Sequence, residues 1–242
     1  MTGGRHAASA RSANRVDGII FDKDGTLFDF RGTWNVWAAQ AIRELAGDDD
    51  TVARRIAGTL LYDLDAGRFE KESPIIAGTN REAAECAAAA LPGRNVEEIE
   101  RFLMLSSAEA PLAPAVPLAP FLSGLKAGGL RLGVMTNDTE YGARAHLSVA
   151  GVETHFDFIA GFDSGYGAKP DPGPLLAFAS QSGLPPERIV MVGDSTHDLL
   201  AGRAAGMQVL GVLTGMAARA ELAPHADDVF PDIGHLTAWI AA

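Results

Sequence analysis

V-D-G-I-I-F-D-K-D-G-T-L-F, residues Val16 to Phe28, is an apolar run of β-strand character that stops abruptly at two aspartates, Asp22 and Asp24, followed by Gly25 and Thr26. Open α/β sheets bind ligands beyond the carboxyl ends of their strands, so carboxylates delivered there are presented rather than buried. If the chain stays extended, alternation sends Asp22 and Asp24 to one side and Lys23 to the other. Gly25 allows the sharp turn that follows. Two carboxylates this close repel unless a cation or a shared proton lies between them, and a hard, oxygen-seeking Mg²⁺ answers that need. Taken alone, D-x-D-G serves equally well as a turn that closes a strand.

The 242 residues suffice for one large domain or two modest ones with a sizeable core, and 47% hydrophobic with 21% charged residues is an ordinary globular balance. Cys86 is the single cysteine, which excludes an internal disulfide framework and a zinc-type cluster and fits a reducing cytoplasm. Its alanine-rich helical surroundings make it a buried structural thiol. The net charge is −11, and residues 1–15 hold only Arg5, Arg11 and Arg15 as charged groups, which leaves 17 basic against 31 acidic residues in the rest. So acidic a body argues against a nucleic-acid surface and against anionic lipid, and an anionic substrate would need local cations. No apolar run approaches the ~18 residues of a membrane span. Met1 to Asn14 lacks the apolar stretch of a signal peptide, so residues 1–15 are expected to form a flexible arm.

From residue 30 to 109 the pattern is helical. Trp34, Trp37, Ala38, Ala41, Ile42 and Leu45 form one amphipathic stripe, and Val52, Ile56 and Leu60 begin a second. Thr79 with Glu82, and Asn95 with Glu98, resemble capping boxes of two further helices. No strand-like run is visible in this block. After the proline-rich segment from Ala110 to Pro120, strands and helices alternate: L-R-L-G-V-M, F-D-F-I-A, R-I-V-M-V-G and M-Q-V-L-G-V are strands, and Asp171 with Pro172 suits the start of a helix ending near Gly183. Such alternation predicts a mostly parallel sheet covered on both faces. The first strand finds partners only beyond residue 130, so 16–29 and 110–242 form one α/β domain into which the helical block 30–109 is inserted, placed to close over the strand ends.

Four polar groups then fall at one sheet edge: Asp22 and Asp24; Thr136, Asn137 and Asp138; Lys169 in G-A-K-P-D-P; and Asp194 with Asp198 in G-D-S-T-H-D. In that order and spacing they resemble the four motifs of the haloacid dehalogenase superfamily, and most of all its phosphoglycolate-phosphatase-like branch. The likeness covers nearly everything from residue 16 onward. It implies a Rossmann-like, mostly parallel sheet with helices on both faces, an inserted α-helical cap domain, and a phosphatase of the cytoplasm that acts on a small phosphorylated metabolite with Mg²⁺.

Carried over position by position, the resemblance makes Asp22 the nucleophile that becomes an aspartyl-phosphate, and Asp24 the group that protonates the departing alkoxide and then activates water. Thr136, Asn137 and Lys169 would hold the phosphoryl group. Asp22, the backbone carbonyl of Asp24, Asp194 and, in support, Asp198 would hold the metal. Asp24 separates phosphoryl transfer from dehalogenation, which needs no acid for a halide. A phosphosugar mutase of the β-phosphoglucomutase kind would use the same nucleophile, and a binding module with silent chemistry is disfavoured because no motif position is lost. Lys23 departs from the apolar residue usual at its position and is expected to point away from Asp22 in a structural role. His197 is expected to be a solvent-facing or supporting group, Trp34 and Trp37 to be cap core, and Arg68 and Lys71 to be a solvated turn. Whether the protein is a monomer or a homodimer stays open.

Overall fold

The computed structural model describes residues 15–47, 49–70, 72–77 and 80–242. The expected arm lies, up to Asn14, outside the described residues, as do Lys71 and Thr79. The strands are β1 (Gly18–Phe21), β2 (Tyr62–Asp63), β3 (Arg68–Phe69), β4 (Arg131–Met135), β5 (Phe158–Ala160), β6 (Ile189–Gly193), β7 (Gln208–Val212) and β8 (Asp228–Phe230). Six of them form one sheet in the order β5-β4-β1-β6-β7-β8, and every pairing in it is parallel. β1 is therefore central, and the connections run outward from it in both directions, so a crevice opens at its carboxyl end.

All four residues of β1 are buried, and alternation divides them. Ile19 and Phe21 join Leu118, Leu122, Leu147 and Trp239 on one face, while Ile20 joins Leu175, Phe178 and Leu199 on the other. Burying those three large side chains of β1 contributes about 5–9 kcal/mol, which is comparable with the whole stability of a small domain. The residue that follows, Asp22, is consequently a fixed point. The helices α6 (Leu118–Ala127), α7 (Glu140–Val149) and α11 (Leu236–Ala241) supply the first face. The second is covered by α8 (Gly173–Ser182), α9 (Thr196–Ala204) and α10 (Arg219–Leu222), in each case through residues of that cluster.

Between β1 and β4 the chain leaves the sheet for a π-helical turn (Arg31–Asn35) and for α1 (Val36–Ala46), α2 (Asp50–Thr59), α3 (Pro74–Ala77), α4 (Asn80–Ala89) and α5 (Val96–Ala108). These pack on a cluster of their own that holds Trp34, Trp37, Ile42, Ile56, Leu60 and Leu103. Where the chain leaves and returns, its two passes are tied together: the Asp29 N–H donates to the Ala113 carbonyl at 2.7 Å and the Ala113 N–H to Thr33 Oγ1 at 3.0 Å.

Some local expectations need correction. The helical block does contain strands, the antiparallel pair β2 and β3, in which Tyr62 faces Phe69. Two residues per strand are too few for alternation to show. Arg68 of that pair is exposed, so it is solvated as expected, but it lies on a strand and not in a turn. Cys86 is partly rather than fully buried against the helical cluster. Pro172 takes the cap position of α8 and not its first turn, and Asp171 Oδ1 accepts the Gly173 N–H at 2.6 Å. Among the described residues no helix is long and apolar enough to cross a membrane.

Candidate active site

The site grows from the register of β1. Phe21 is level with Val134 and Val192, and the Asp22 N–H donates to the Val192 carbonyl at 2.9 Å, which fixes the backbone from which the Asp22 carboxylate projects. Lys169 arrives from the loop before α8. Its ammonium donates to Asp22 Oδ1 at 2.6 Å and to the Met135 carbonyl at 2.9 Å, and lies 2.6 Å from Asp198 Oδ1. Three hydrogens thus meet three acceptors. Asn137 holds the loop in place: its Oδ1 accepts the Lys169 N–H and its Nδ2 donates to the Lys169 carbonyl, both at 2.9 Å. That clamp takes the amide oxygen and one of the two Nδ2 hydrogens, so the Asn137 side chain is tied to the Lys169 backbone. Thr136 is buried at the end of β4, with its Oγ1 accepting the Asp138 N–H at 3.1 Å.

Asp194 follows β6 and Asp198 lies in the first turn of α9. Asp198 Oδ2 accepts from the Ser195 N–H at 3.0 Å and the Ser195 hydroxyl at 2.7 Å, so it both caps the helix and grips Lys169. Asp22, Asp194 and Asp198 are all buried, and one oxygen of each lies within 4.8 Å of the others. Burial pushes the Asp22 carboxyl up to about 7, opposed by Lys169 and assisted by Asp198 and Asp24. Burial, then Asp22 and Asp198, also hold Asp194 well above the usual carboxylate range. Once ionised, three buried carboxylates against one ammonium carry about two negative charges without compensation, a surplus of hard oxygen donors that suits a divalent cation of the Mg²⁺ kind.

Two glycines leave room for Asp194. A Cβ on Gly25, whose φ is +79°, would stand 2.5 Å from the Asp194 carboxyl carbon, and one on Gly215 would overlap the same carboxylate. Gly215→Ala is therefore expected to displace Asp194 and raise the Mg²⁺ concentration for half-maximal activity about tenfold. A Mg²⁺ titration of activity tests this, and an unchanged midpoint counts against Asp194 as a metal-facing group.

The model of the haloacid dehalogenase-like hydrolases matches residues 16–206. The chain belongs to that family. Among curated relatives, a phosphoglycolate phosphatase of Rhodospirillum rubrum is 32% identical over 233 residues, covering 92% of this chain and 90% of its own length. A pyrophosphatase PpaX of Bacillus velezensis is 28% identical over 209 residues, covering 82% and 83%. A solved structure described as a predicted phosphoglycolate phosphatase from Haemophilus somnus superposes with a TM-score of 0.69 at 22% identity, covering 93% of this chain and 98% of that one. The last likeness bears on fold alone. With the family match and the curated relatives, the protein is a phosphatase of the haloacid dehalogenase-like hydrolases, in the phosphoglycolate-phosphatase-like branch.

In this hydrolase the surroundings of Asp24 are the part that sequence reasoning missed. The strand ends at Phe21, and the Lys23 carbonyl accepts the N–H groups of Leu27 and Phe28 at 3.0 and 3.1 Å. Alternation therefore fails to separate Lys23 from Asp24: Lys23 Nζ lies 2.7 Å from Asp24 Oδ2, 3.1 Å from Asp138 Oδ2 and 3.0 Å from His146 Nδ1. Trp34 is buried, as core expectation has it, yet its indole N–H donates to Asp24 Oδ1 at 3.0 Å. A tryptophan in an apolar stripe reads as core, and only coordinates show where its one polar atom goes. His197 is exposed.

Proposed function

We propose that the protein is a Mg²⁺-dependent phosphomonoester hydrolase that attacks its substrate with Asp22, and that the substrate is a small phosphorylated metabolite of the 2-phosphoglycolate kind. The observation that carries the reading is the buried ensemble in which Lys169 bridges Asp22 and Asp198 beside Asp194. The name of the Rhodospirillum rubrum relative supports the substrate class. The single cysteine supports a reducing cytoplasm as the compartment.

The chemistry follows from what each group can do. Asp22 sits at the end of a rigid strand, so a phosphoryl group seated beyond it meets the carboxylate oxygen in line, and attack gives an aspartyl-phosphate. Asp24 gives a proton to the departing alkoxide and later takes one from the water that hydrolyses the intermediate. Lys169 holds Asp22 in place and offers positive charge to the phosphoryl oxygens. Thr136, through its hydroxyl, and Asn137, through its backbone, complete the cradle. Asp22, the Asp24 carbonyl and Asp194, with Asp198 in support, would hold Mg²⁺, which when bound neutralises the carboxylates and the phosphoryl oxygens together.

The test is a panel of phosphorylated metabolites that includes 2-phosphoglycolate, inorganic pyrophosphate and a hexose 1-phosphate, each with Mg²⁺. The expected result is release of inorganic phosphate with the highest kcat/KM on 2-phosphoglycolate or a comparably small monoester. Preference for pyrophosphate would overturn the substrate class, and an isomerised sugar phosphate in place of free phosphate would identify a mutase.

A further inference from the structure

Lys23 is 0% exposed. An ammonium so far from water is retained only where other groups replace its hydration, and here each of its hydrogens has a partner: Asp24, Asp138 and His146. The histidine is itself fixed. Its Nε2 lies 2.7 Å from the Ser107 carbonyl, which can only accept, so the ring proton is on Nε2 and Nδ1 is left as an acceptor for the lysine. Burial and then the nearby lysine charge lower the His146 pKa, in keeping with a neutral ring. A lysine anchored on two further partners cannot swing, and Asp24 receives it on both oxygens, at 2.9 Å on Oδ1 and 2.7 Å on Oδ2. Trp34 Nε1 donates to the same Oδ1 from the other side, so donors from the β1 turn and from the helical insertion together set the plane of this carboxyl group.

We propose that Lys23, backed by Trp34, is a positioning residue that fixes the carboxyl group of Asp24 for proton exchange with the leaving group. The inference rests on the acid–base reading of Asp24 given above. In the step concerned, the bond from phosphorus to the alkoxide oxygen breaks as the bond to an Asp22 oxygen forms. The proton of Asp24 passes to the alkoxide, and Asp24 is left as a carboxylate on Lys23. While Asp24 carries the proton, Asp138 and His146 keep the ammonium paired. An apolar residue at position 23 would fill the space but leave Asp24 held on one side only.

The experiment compares kcat/KM, which covers the steps up to formation of the phosphoenzyme, for an alkyl phosphate and for p-nitrophenyl phosphate. Nitrophenolate leaves as a stable anion and needs little help from an acid, whereas an alkoxide depends on it. Lys23→Met is expected to lower kcat/KM for the alkyl phosphate at least about tenfold more than for p-nitrophenyl phosphate, since small misplacements of a reacting group cost up to ~10²-fold. The inhibition constant of inorganic phosphate should stay within about threefold, because an acid that acts on the leaving group contributes little to ground-state binding. The ratio of the two kcat/KM values does not depend on how much of the enzyme is folded, so partial unfolding leaves the result readable. Should Lys23→Met give no folded protein, Trp34→Phe removes the other donor and is expected to show the same selectivity at about threefold or more. Equal losses on both substrates in the variant measured would overturn the proposal and make the cluster purely structural. Asp24→Asn separates the two levels: a selective loss there with a uniform loss in Lys23→Met refutes the positioning role alone. A uniform loss in Asp24→Asn refutes the acid–base reading and the positioning role with it.

Discussion

Replacing Asp22 by asparagine is expected to lower kcat/KM by at least about 10⁴-fold, because the amide keeps the shape of the side chain but is no longer a nucleophilic carboxylate. The geometry around it should survive. The amide oxygen would still face Lys169, which retains Asp198 and the Met135 carbonyl as acceptors. The same substitution is expected to raise the thermal midpoint of the metal-free protein near neutral pH. Burial already pushes the Asp22 carboxyl up to about 7, which is the signature of a charge that the fold tolerates poorly. Activity assays with p-nitrophenyl phosphate and thermal melts of the same preparation read both effects. Turnover within about tenfold of the parent would remove Asp22 from the reaction.

Chelation of the metal is expected to be nearly as damaging, with activity falling to background in excess EDTA and returning on addition of Mg²⁺. The pH dependence of stability has a definite sign. Asp22 and Asp194 have folded-state pKa values above those of the unfolded chain, so their contribution is fully present below the unfolded value near ~4 and is lost as pH rises through the folded values, for Asp22 about 7. The metal-free protein should accordingly lose stability from about pH 4 to beyond about pH 7 through these two groups. Bound Mg²⁺ removes the repulsion between the ionised forms, so the rise in melting temperature on adding Mg²⁺ should be larger near pH 8 than near pH 5. Melts with and without Mg²⁺ at both pH values test this. A metal-induced shift that is larger at the acid end would contradict the carboxylate cluster as the site of the ion.

The strand ends were legible in the sequence because physics leaves few choices there. Where the apolar run I-I-F or I-V-M-V stops, the next side chain stands at the sheet edge, and Asp22 and Asp194 lie there in the structure. Lys169 was legible from its loop only through the motif order, and its contacts with Asp22 and Asp198 depend on a clamp by Asn137 that spacing does not reveal. The environment of Asp24 was not legible. Alternation holds while a strand continues, and β1 ends one residue before Asp22, after which a turn closed by Gly25 N–H to the Phe28 carbonyl at 2.7 Å brings Lys23 and Asp24 together. His146 meets Lys23 across 123 residues of chain, and Trp34 reaches Asp24 across only 10 but from the helical turn after the chain has left the sheet, so neither contact has a signal in the periodicity of its own stretch.

The most direct test of Asp22 as the attacking group is chemical trapping of the phosphoenzyme. Enzyme turning over substrate with Mg²⁺ is treated with borohydride, which reduces an acyl phosphate to the alcohol, and the peptides are read by mass spectrometry. Homoserine is expected at position 22, dependent on substrate and absent from Asp22→Asn. Trapping at another carboxylate, with Asp22 left unreduced, would contradict nucleophilic attack by Asp22 and the mechanism built on it.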